Sequence, residues 1–135
     1  IPKMKYSKKN AEDFASFLIN NCNFARDHVL VMLDEKATRE AIMKPLGDSW
    51  LPRKASKDDL VVVYLSTFVT PANLDAYGES YAAAYDTRLK ALYADGIPIR
   101  YLPGFLSDRV ASERIVLIID AHGDHRQVNQ SQCRL

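Results

Sequence analysis

Leu60-Val61-Val62-Val63-Tyr64-Leu65 is followed at once by Ser66-Thr67-Phe68, and Ile115-Val116-Leu117-Ile118-Ile119 is followed by Asp120-Ala121-His122-Gly123-Asp124-His125. Each stretch is an apolar run followed by a short segment that contains polar residues. Because neither run alternates with polar residues, both predict strands covered on both faces, as in a parallel sheet. In an open α/β sheet, ligands bind just beyond the carboxyl ends of such strands. The two ends therefore mark where an active site would lie.

The composition is that of an ordinary globular domain. The chain has 135 residues, of which 47% are apolar, and a formal net charge of +1, so it allows one domain with a real core. Such a charge gives no field for nucleic acid, and no apolar run approaches the roughly 20 residues of a membrane helix. Cys22 and Cys133 lie too far apart to form a metal or redox motif. We therefore expect a cytoplasmic protein without a cofactor, and neither a nucleic-acid nor a membrane partner.

Hydrophobic periodicity places helices between the strands. Thr38 is a good N-cap, and Asp86 is predicted to cap a later helix that ends at a left-handed Gly96. Pro103 should bend or split the helix that follows. Residues 70–84 are predicted to form a surface excursion. In full, the pattern predicts helices over 8–21, 38–46, 86–95 and 98–110, and strands over 28–33, 59–66 and 114–120.

Strands separated by helices imply parallel pairing with right-handed crossovers. The fold class is therefore predicted to be α/β, as a three-layer α/β/α sandwich with a mainly parallel sheet. We assign residues 1–125 to this domain and residues 126–135 to a polar tail. No glycine-rich phosphate loop follows any predicted strand, so nucleotide binding is not indicated.

Several segments, taken in order, resemble one family of peptidases. They are Tyr6-Ser7-Lys8-Lys9-Asn10-Ala11-Glu12-Asp13-Phe14, Leu33-Asp34 with Ala37-Thr38, residues 57–67, Ala84-Tyr85-Asp86-Thr87, Gly96-Ile97, and residues 114–121. Their order resembles the large-subunit half of caspase-like cysteine peptidases (peptidase C14), in the metacaspase and prokaryotic caspase-homologue branch. The resemblance implies the sandwich fold, a general-base histidine directly after Ser66-Thr67, and a nucleophilic cysteine directly after Asp120-Ala121.

Both residues of that catalytic dyad are replaced in this chain. Phe68 stands at the histidine position and His122 at the cysteine position. The family's chemistry needs a thiolate and an imidazole, which this pair does not provide. The resemblance therefore implies a pseudopeptidase that acts as a scaffold, regulator or interaction partner. It also implies a remnant substrate pocket at Asp120, Ser66 and Asn10, where Asn10 replaces an aspartate common in the metacaspase branch.

The resemblance also implies strands that the sequence lacks. The family's domain begins with an apolar strand that lies in the middle of the sheet, and small-subunit strands follow the cysteine; neither is present in these 135 residues. A sheet without them exposes backbone donors and acceptors. Either the sheet is re-paired, or a neighbouring chain covers its edge, or the chain is a fragment of a longer polypeptide. We predict a protein partner or a homodimer through a sheet edge.

Two alternatives stay open. The first is a peptidase relative whose activity is recovered through other residues or another chain, for example Ser66 with His122 or His125. The second is a metal-binding variant at residues 120–125, with His122, Asp124 and His125 as candidate ligands beside Asp120. An extended chain would point His122 and Asp124 to one side and His125 to the other, which weakens the metal hypothesis.

Overall fold

The computed structural model describes residues 7–122 as a mixture of helices and strands. Short 3₁₀ turns and one π-helical turn, Pro45–Ser49, connect the longer elements. The helices and strands of this range are α1 (Ser7–Asn21), α2 (Arg39–Lys44), α3 (Leu51–Lys54), β1 (Leu60–Phe68), β2 (Tyr81–Ala82), α4 (Leu92–Asp95), β3 (Ile97–Pro98), α5 (Leu102–Arg109) and β4 (Arg114–His122).

Two long parallel strands form the centre of the fold. β1 pairs with β4 over their whole length, from Leu60 opposite Arg114 to Phe68 opposite His122. β2 and β3 form a small antiparallel sheet, and a bridge between Val69 and Ala82 connects it to the end of β1. The strands predicted over 59–66 and 114–120 and their parallel direction are therefore confirmed, and each continues two residues beyond its predicted end.

Side chains on both faces of β1 are covered by helices. Val61 and Val63 are buried on one face and pack with Leu51, Leu106 and Val110. On the other face the ring of Tyr64 stacks on Phe14 of α1, with 4.5 Å between the ring centroids. This alternation follows from the two-residue period of a strand. Burial of an aliphatic side chain of this size contributes about 1.5–3 kcal/mol, so the first face carries much of the stability.

A second apolar cluster lies under the small sheet and contains Ala82, Ala84, Ile97 and Leu102. Gly96 borders this cluster, and a Cβ atom at that position would lie 2.7 Å from both the backbone oxygen of Leu92 and the Cβ of Tyr81. The prediction of a left-handed Gly96 is wrong, because its φ is −83°. Glycine is needed there because the backbone oxygen of Leu92 and the side chain of Tyr81 leave no room for a Cβ atom.

The predicted strand at 28–33 is wrong. Val29 and Leu33 have extended backbone angles, but the segment pairs with no strand within residues 7–122. Leu30 and Val31 are 46% and 41% exposed. An apolar run becomes a strand only where another backbone lies beside it.

The helix boundaries show which of the predicted N-caps and helix breaks form in the structure. Thr38 accepts a hydrogen bond from Ala41 N at 3.2 Å and caps α2 as predicted. Of the helix predicted over 98–110, only Leu102–Arg109 is α-helical, with Pro103 in its first turn, and a 3₁₀ turn, Ile99–Tyr101, directly precedes it. Contrary to the prediction, Asp86 does not cap the helix that follows it: its carboxylate accepts instead from Arg39 N, at the first residue of α2, at 2.8 Å. The predicted helix over 86–95 is reduced to a 3₁₀ turn and the four residues of α4.

The segment at 70–84 is not only a surface excursion. Thr70 and Tyr81 are 2% and 3% exposed, and each binds the other's backbone: Thr70 N donates to Tyr81 O, and Tyr81 N donates to Thr70 Oγ1. Tyr77, by contrast, is 93% exposed. Both ends of the segment are therefore held in the fold while its middle faces solvent. None of the helices between residues 7 and 122 is long and apolar enough to cross a membrane.

Candidate functional site at the strand ends

The carboxyl ends of β1 and β4 lie side by side. Phe68 is directly opposite His122 in the strand register, and Val69 N donates to His122 O at 3.2 Å. Two strands that run in the same direction must end at the same edge of their sheet. The two positions singled out from sequence are therefore neighbours, and we call residues 66–70 with 120–122 the strand tips.

One carboxylate oxygen organises the strand tips. Asp120 Oδ2 accepts from Asn10 Nδ2 at 3.1 Å, from Tyr64 Oη at 3.0 Å and from Ser66 Oγ at 3.1 Å. The three residues assigned to the remnant pocket, Asp120, Asn10 and Ser66, therefore come together. Sequence reasoning missed Tyr64 as a member. Its position two residues before Ser66, on the same face of the strand, is the signal that could have found it.

The carboxylate carries its charge at neutral pH. Partial burial disfavours the charged form of Asp120, but the hydrogen bonds from Tyr64, Asn10 and Ser66 outweigh it and hold its pKa below the ordinary value. The same environment acts in the opposite sense on the tyrosine: burial, and then its bond to Asp120, raise the pKa of Tyr64. The tips thus combine one negative charge with neutral donors.

His122 lies beside the same group, but not in the geometry of a serine-hydrolase triad. Its Nε2 is 3.2 Å from Ser66 Oγ and 3.4 Å from Asp120 Oδ2. In a working triad the serine and the aspartate contact different ring nitrogens. Here both approach Nε2, and the single hydroxyl proton of Ser66 is donated to Asp120. While Ser66 Oγ donates to Asp120, its one hydroxyl proton is not directed at Nε2.

No thiol lies at the tips within the part of the chain that is described. Cys22 is exposed and directly follows α1, where it borders a cavity near Leu60 at the amino end of β1. Phe68 offers an apolar ring with no exchangeable proton. Cys133 lies outside the described residues.

The metal hypothesis involves two described ligands. Asp120 and His122 are two residues apart on β4, whereas Asp124 and His125 lie outside the described residues. Between residues 7 and 122, no group of three or more His, Cys, Asp or Glu side chains is placed to hold a metal ion. Structural metal sites usually have four protein ligands, so the side chains of Asp120 and His122 alone do not form one.

The cluster of Asp120, Asn10, Tyr64 and Ser66 lies only partly along a neighbouring cavity, because only Tyr64 and Ser66 of this cluster line it. That cavity, of about 710 Å³, is lined by Ser66 and Phe68 but by neither Asp120 nor Asn10. Comparison of the chain with protein-family models, curated proteins and solved structures finds no match. The interpretation therefore depends on the local arrangement: a charged carboxylate, an imidazole and a phenyl ring side by side at the strand ends.

Proposed function

We propose that this chain is a catalytically inactive caspase-like domain that acts by binding another protein, as a scaffold or regulator. The observation that carries the proposal is the pairing of Phe68 with His122 at the ends of adjacent parallel strands. These are the positions at which the resemblance implies a general base and a nucleophile. Helix contacts on both faces of the strand pair also support the finer, three-layer form of the fold.

The chemistry at these two positions supports loss of hydrolysis. Peptide cleavage by this family needs an attacking sulfur and an imidazole that manages its proton. Phe68 cannot exchange a proton, and an imidazole occupies the place of the sulfur. Loss of one member of a cooperating catalytic unit is often nearly as damaging as loss of the whole unit.

A binding role is supported by what is present at the tips. Asp120 keeps a full negative charge, and three neutral donors hold its orientation. A basic side chain of a bound protein would complement this charge. Ser66, which donates to Asp120 and also lines the large cavity, connects the charged cluster to the apolar space beside it.

The first experiment is a peptidase assay with fluorogenic peptides that carry arginine, lysine or aspartate before the scissile bond, with and without calcium. We expect no turnover above a heat-denatured control. A fluorophosphonate probe is expected to leave Ser66 unlabelled. Turnover that survives repurification, or labelling that the Ser66→Ala variant abolishes, would contradict the proposal.

The second experiment restores the dyad. In a background with Cys22→Ser and Cys133→Ser, the Phe68→His/His122→Cys variant should react with iodoacetamide faster at neutral pH than His122→Cys alone. The expected cause is a neighbouring imidazolium that lowers the pKa of the new thiol. Equal rates and equal pH profiles for the two variants would show that positions 68 and 122 do not form a dyad.

A further inference from the structure

One edge of β4 has no strand partner among residues 7–122, because β1 pairs with its other edge. Val69 N donates to His122 O, so His122 and every second residue before it point their backbone groups towards β1. The backbone groups of Ile115, Leu117 and Ile119 therefore point to the outer edge. No backbone group in the described part of the chain is hydrogen-bonded to these three.

The outer edge of β4 has the composition of a covered strand. Residues 115–119 are Ile, Val, Leu, Ile and Ile, without a lysine, a proline or a glycine. Edge strands that face water usually carry such residues, or a bulge, which prevent pairing with other chains. Yet none of the nine residues of β4 is buried, and Val116 is 44% exposed. The strand therefore lacks the neighbour to which its sequence is suited.

β4 is complementary to itself when a second copy runs antiparallel to it about Leu117. In that register Ile115 lies opposite Ile119 of the second copy, and Leu117 lies opposite its own equivalent. These are the residues whose backbone groups point outwards, so each pair exchanges two hydrogen bonds, about six in all. A shift by one residue would place them opposite residues whose backbone groups point to β1. Only shifts by two residues keep the hydrogen bonds.

Charge selects one register among those that remain. About Leu117, Arg114 lies opposite Asp120 of the second copy, and the two-fold symmetry repeats this pair at the other end of the contact. Opposite charges directly across an antiparallel pair stabilise it. A shift by two residues in either direction would instead place Asp120 opposite Val116 or opposite Ser112. The sequence of β4 therefore favours the register about Leu117.

Both charged side chains are placed to take part in such a pair. They lie on the same face of β4, because an even number of residues separates them. The hydrogen bonds that hold Asp120 all end on Oδ2, and among residues 7–122 no donor binds its Oδ1. Arg114 is exposed and donates from Nη2 to the backbone oxygen of Asp58, which uses one of its five N–H groups.

We propose that this chain forms a symmetric dimer in which β4 pairs antiparallel with β4 of a second copy about Leu117. Arg114 of each copy then meets the Asp120 charge of the other. Such a contact uses the same surface on both copies and closes on itself, as in most homodimers. The inference goes beyond the proposed function, because β4 can pair in this way whether or not the domain hydrolyses peptides.

The first test is sedimentation equilibrium of the 135-residue protein. We expect a reversible monomer–dimer equilibrium with a Kd of about 100 µM or below, which added salt weakens. Arg114→Glu makes both charge pairs repulsive and should raise this Kd at least about tenfold. Arg109→Glu is the matched control and should leave the Kd unchanged, since Arg109 is also exposed and also donates to a backbone oxygen, that of Gly47. Circular dichroism first establishes that both variants are folded.

The second test is disulfide cross-linking, which reports the register. Val116→Cys and Ile118→Cys are prepared separately, each with Cys22→Ser and Cys133→Ser, and then mixed and oxidised. About Leu117, these positions form a non-hydrogen-bonded pair with about 4.5 Å between Cα atoms, a distance that suits a disulfide. We expect a cross-linked heterodimer in the mixture. Either variant alone should cross-link much more slowly, because identical positions lie diagonally, about 7–8 Å apart.

The third test locates the edge without any substitution. Hydrogen exchange of backbone amides is followed by NMR at low and at high protein concentration. Exchange at Ile115, Leu117 and Ile119 should slow at least about tenfold as the dimer forms. Exchange at Tyr64 and Ser66, whose amides point to the outer edge of β1, should not change.

Several results would overturn the inference. They are a monomer at concentrations up to about 1 mM, equal effects of Arg114→Glu and Arg109→Glu on the Kd, and self-cross-linking of either cysteine variant as fast as in the mixture. Protection of Tyr64 and Ser66 in place of the β4 amides would assign the contact to β1 instead. If Arg114→Glu does not fold, the cross-linking and exchange patterns decide.

The dimer and the proposed function fail separately. A monomeric protein leaves the result of the peptidase assay untouched, and turnover in the peptidase assay leaves the result of the dimer tests untouched.

Discussion

Replacement of Asp120 by asparagine tests whether its carboxylate organises the strand tips. One oxygen of this side chain accepts from Asn10, Tyr64 and Ser66 at 3.0–3.1 Å. Buried hydrogen bonds to a charged group contribute about 1.5–3 kcal/mol each. These three share one acceptor on a side chain that is 35% exposed, so their sum is reduced by solvent. An asparagine can still place its one oxygen among these three donors, but that oxygen carries no full charge, so each hydrogen bond becomes a weaker neutral one.

We therefore expect Asp120→Asn to lower the free energy of unfolding at pH 7 by about 2 kcal/mol. For a chain of this length, that corresponds to a decrease in Tm of about 7 °C. The measurement is urea unfolding, followed by circular dichroism and by the fluorescence of Trp50, which is the one tryptophan of the chain.

The effect should depend on pH in a defined direction. The pKa of Asp120 is lowered in the folded protein, so its contribution is complete above the unfolded carboxyl pKa of about 3.9 and is lost as the pH falls through the folded value. The difference between wild type and Asp120→Asn should therefore be constant from pH 7 to about pH 5 and shrink at lower pH. Protonation removes the charge that the three donors stabilise.

Asp108→Asn is the matched control, since Asp108 is an exposed carboxylate on α5. We expect its free energy of unfolding to stay within about 0.5 kcal/mol of the wild type. Equal stabilities of Asp120→Asn and wild type at pH 7 would refute the reasoning. So would a difference that persists undiminished at pH 3, because it could not then come from the carboxylate charge.

Three further substitutions test the packing that positions the site. Leu106→Ala should lower the free energy of unfolding in urea by about 2–5 kcal/mol, because Leu106 is 2% exposed. Phe105→Ala, at a site that is 43% exposed, is the control; an equal or larger loss of stability in this control would argue against the core assignment. Gly96→Ala should cost about 1–3 kcal/mol because the new Cβ has no room, whereas Gly47→Ala, which meets no atom within 4 Å, should be neutral or slightly stabilising in the same thermal melts. Thr38→Ala should lower the free energy of unfolding by about 1 kcal/mol because α2 loses its cap, whereas Thr38→Ser should keep most of that stability. Equal melting temperatures for these two variants would exclude a capping role.

The strand pair was predictable because its signal is local and strong. Residues 60–65 and 115–119 are uninterrupted apolar runs, and the helices between them favour parallel pairing. The register was not predictable. Phe68 lies opposite His122 because of the register between the two strands. The periodicity within a single strand contains no information about that register.

The segment at 28–33 has the same apolar character and did not become a strand. Strand formation needs a neighbouring backbone that supplies donors and acceptors, and side-chain pattern says nothing about whether one is present. Gly96 gives a similar lesson. Its place after a helix predicted a positive φ, whereas glycine is needed there because Leu92 and Tyr81 leave no space for a Cβ atom.

The sequence by itself determined which segments are apolar on one face or both, where α2 begins after its cap Thr38, and which side chains stand at the two strand ends. Only the tertiary structure decided that Asp120 binds Asn10, which lies 110 residues away, and Tyr64, which lies 56 residues away. It also decided that, among residues 7–122, no backbone group pairs with Val62, Tyr64 or Ser66 on the outer edge of β1. The physical reason is that periodicity reports how each element meets its immediate surroundings, whereas a hydrogen bond between elements depends on their separation to within a few tenths of an ångström.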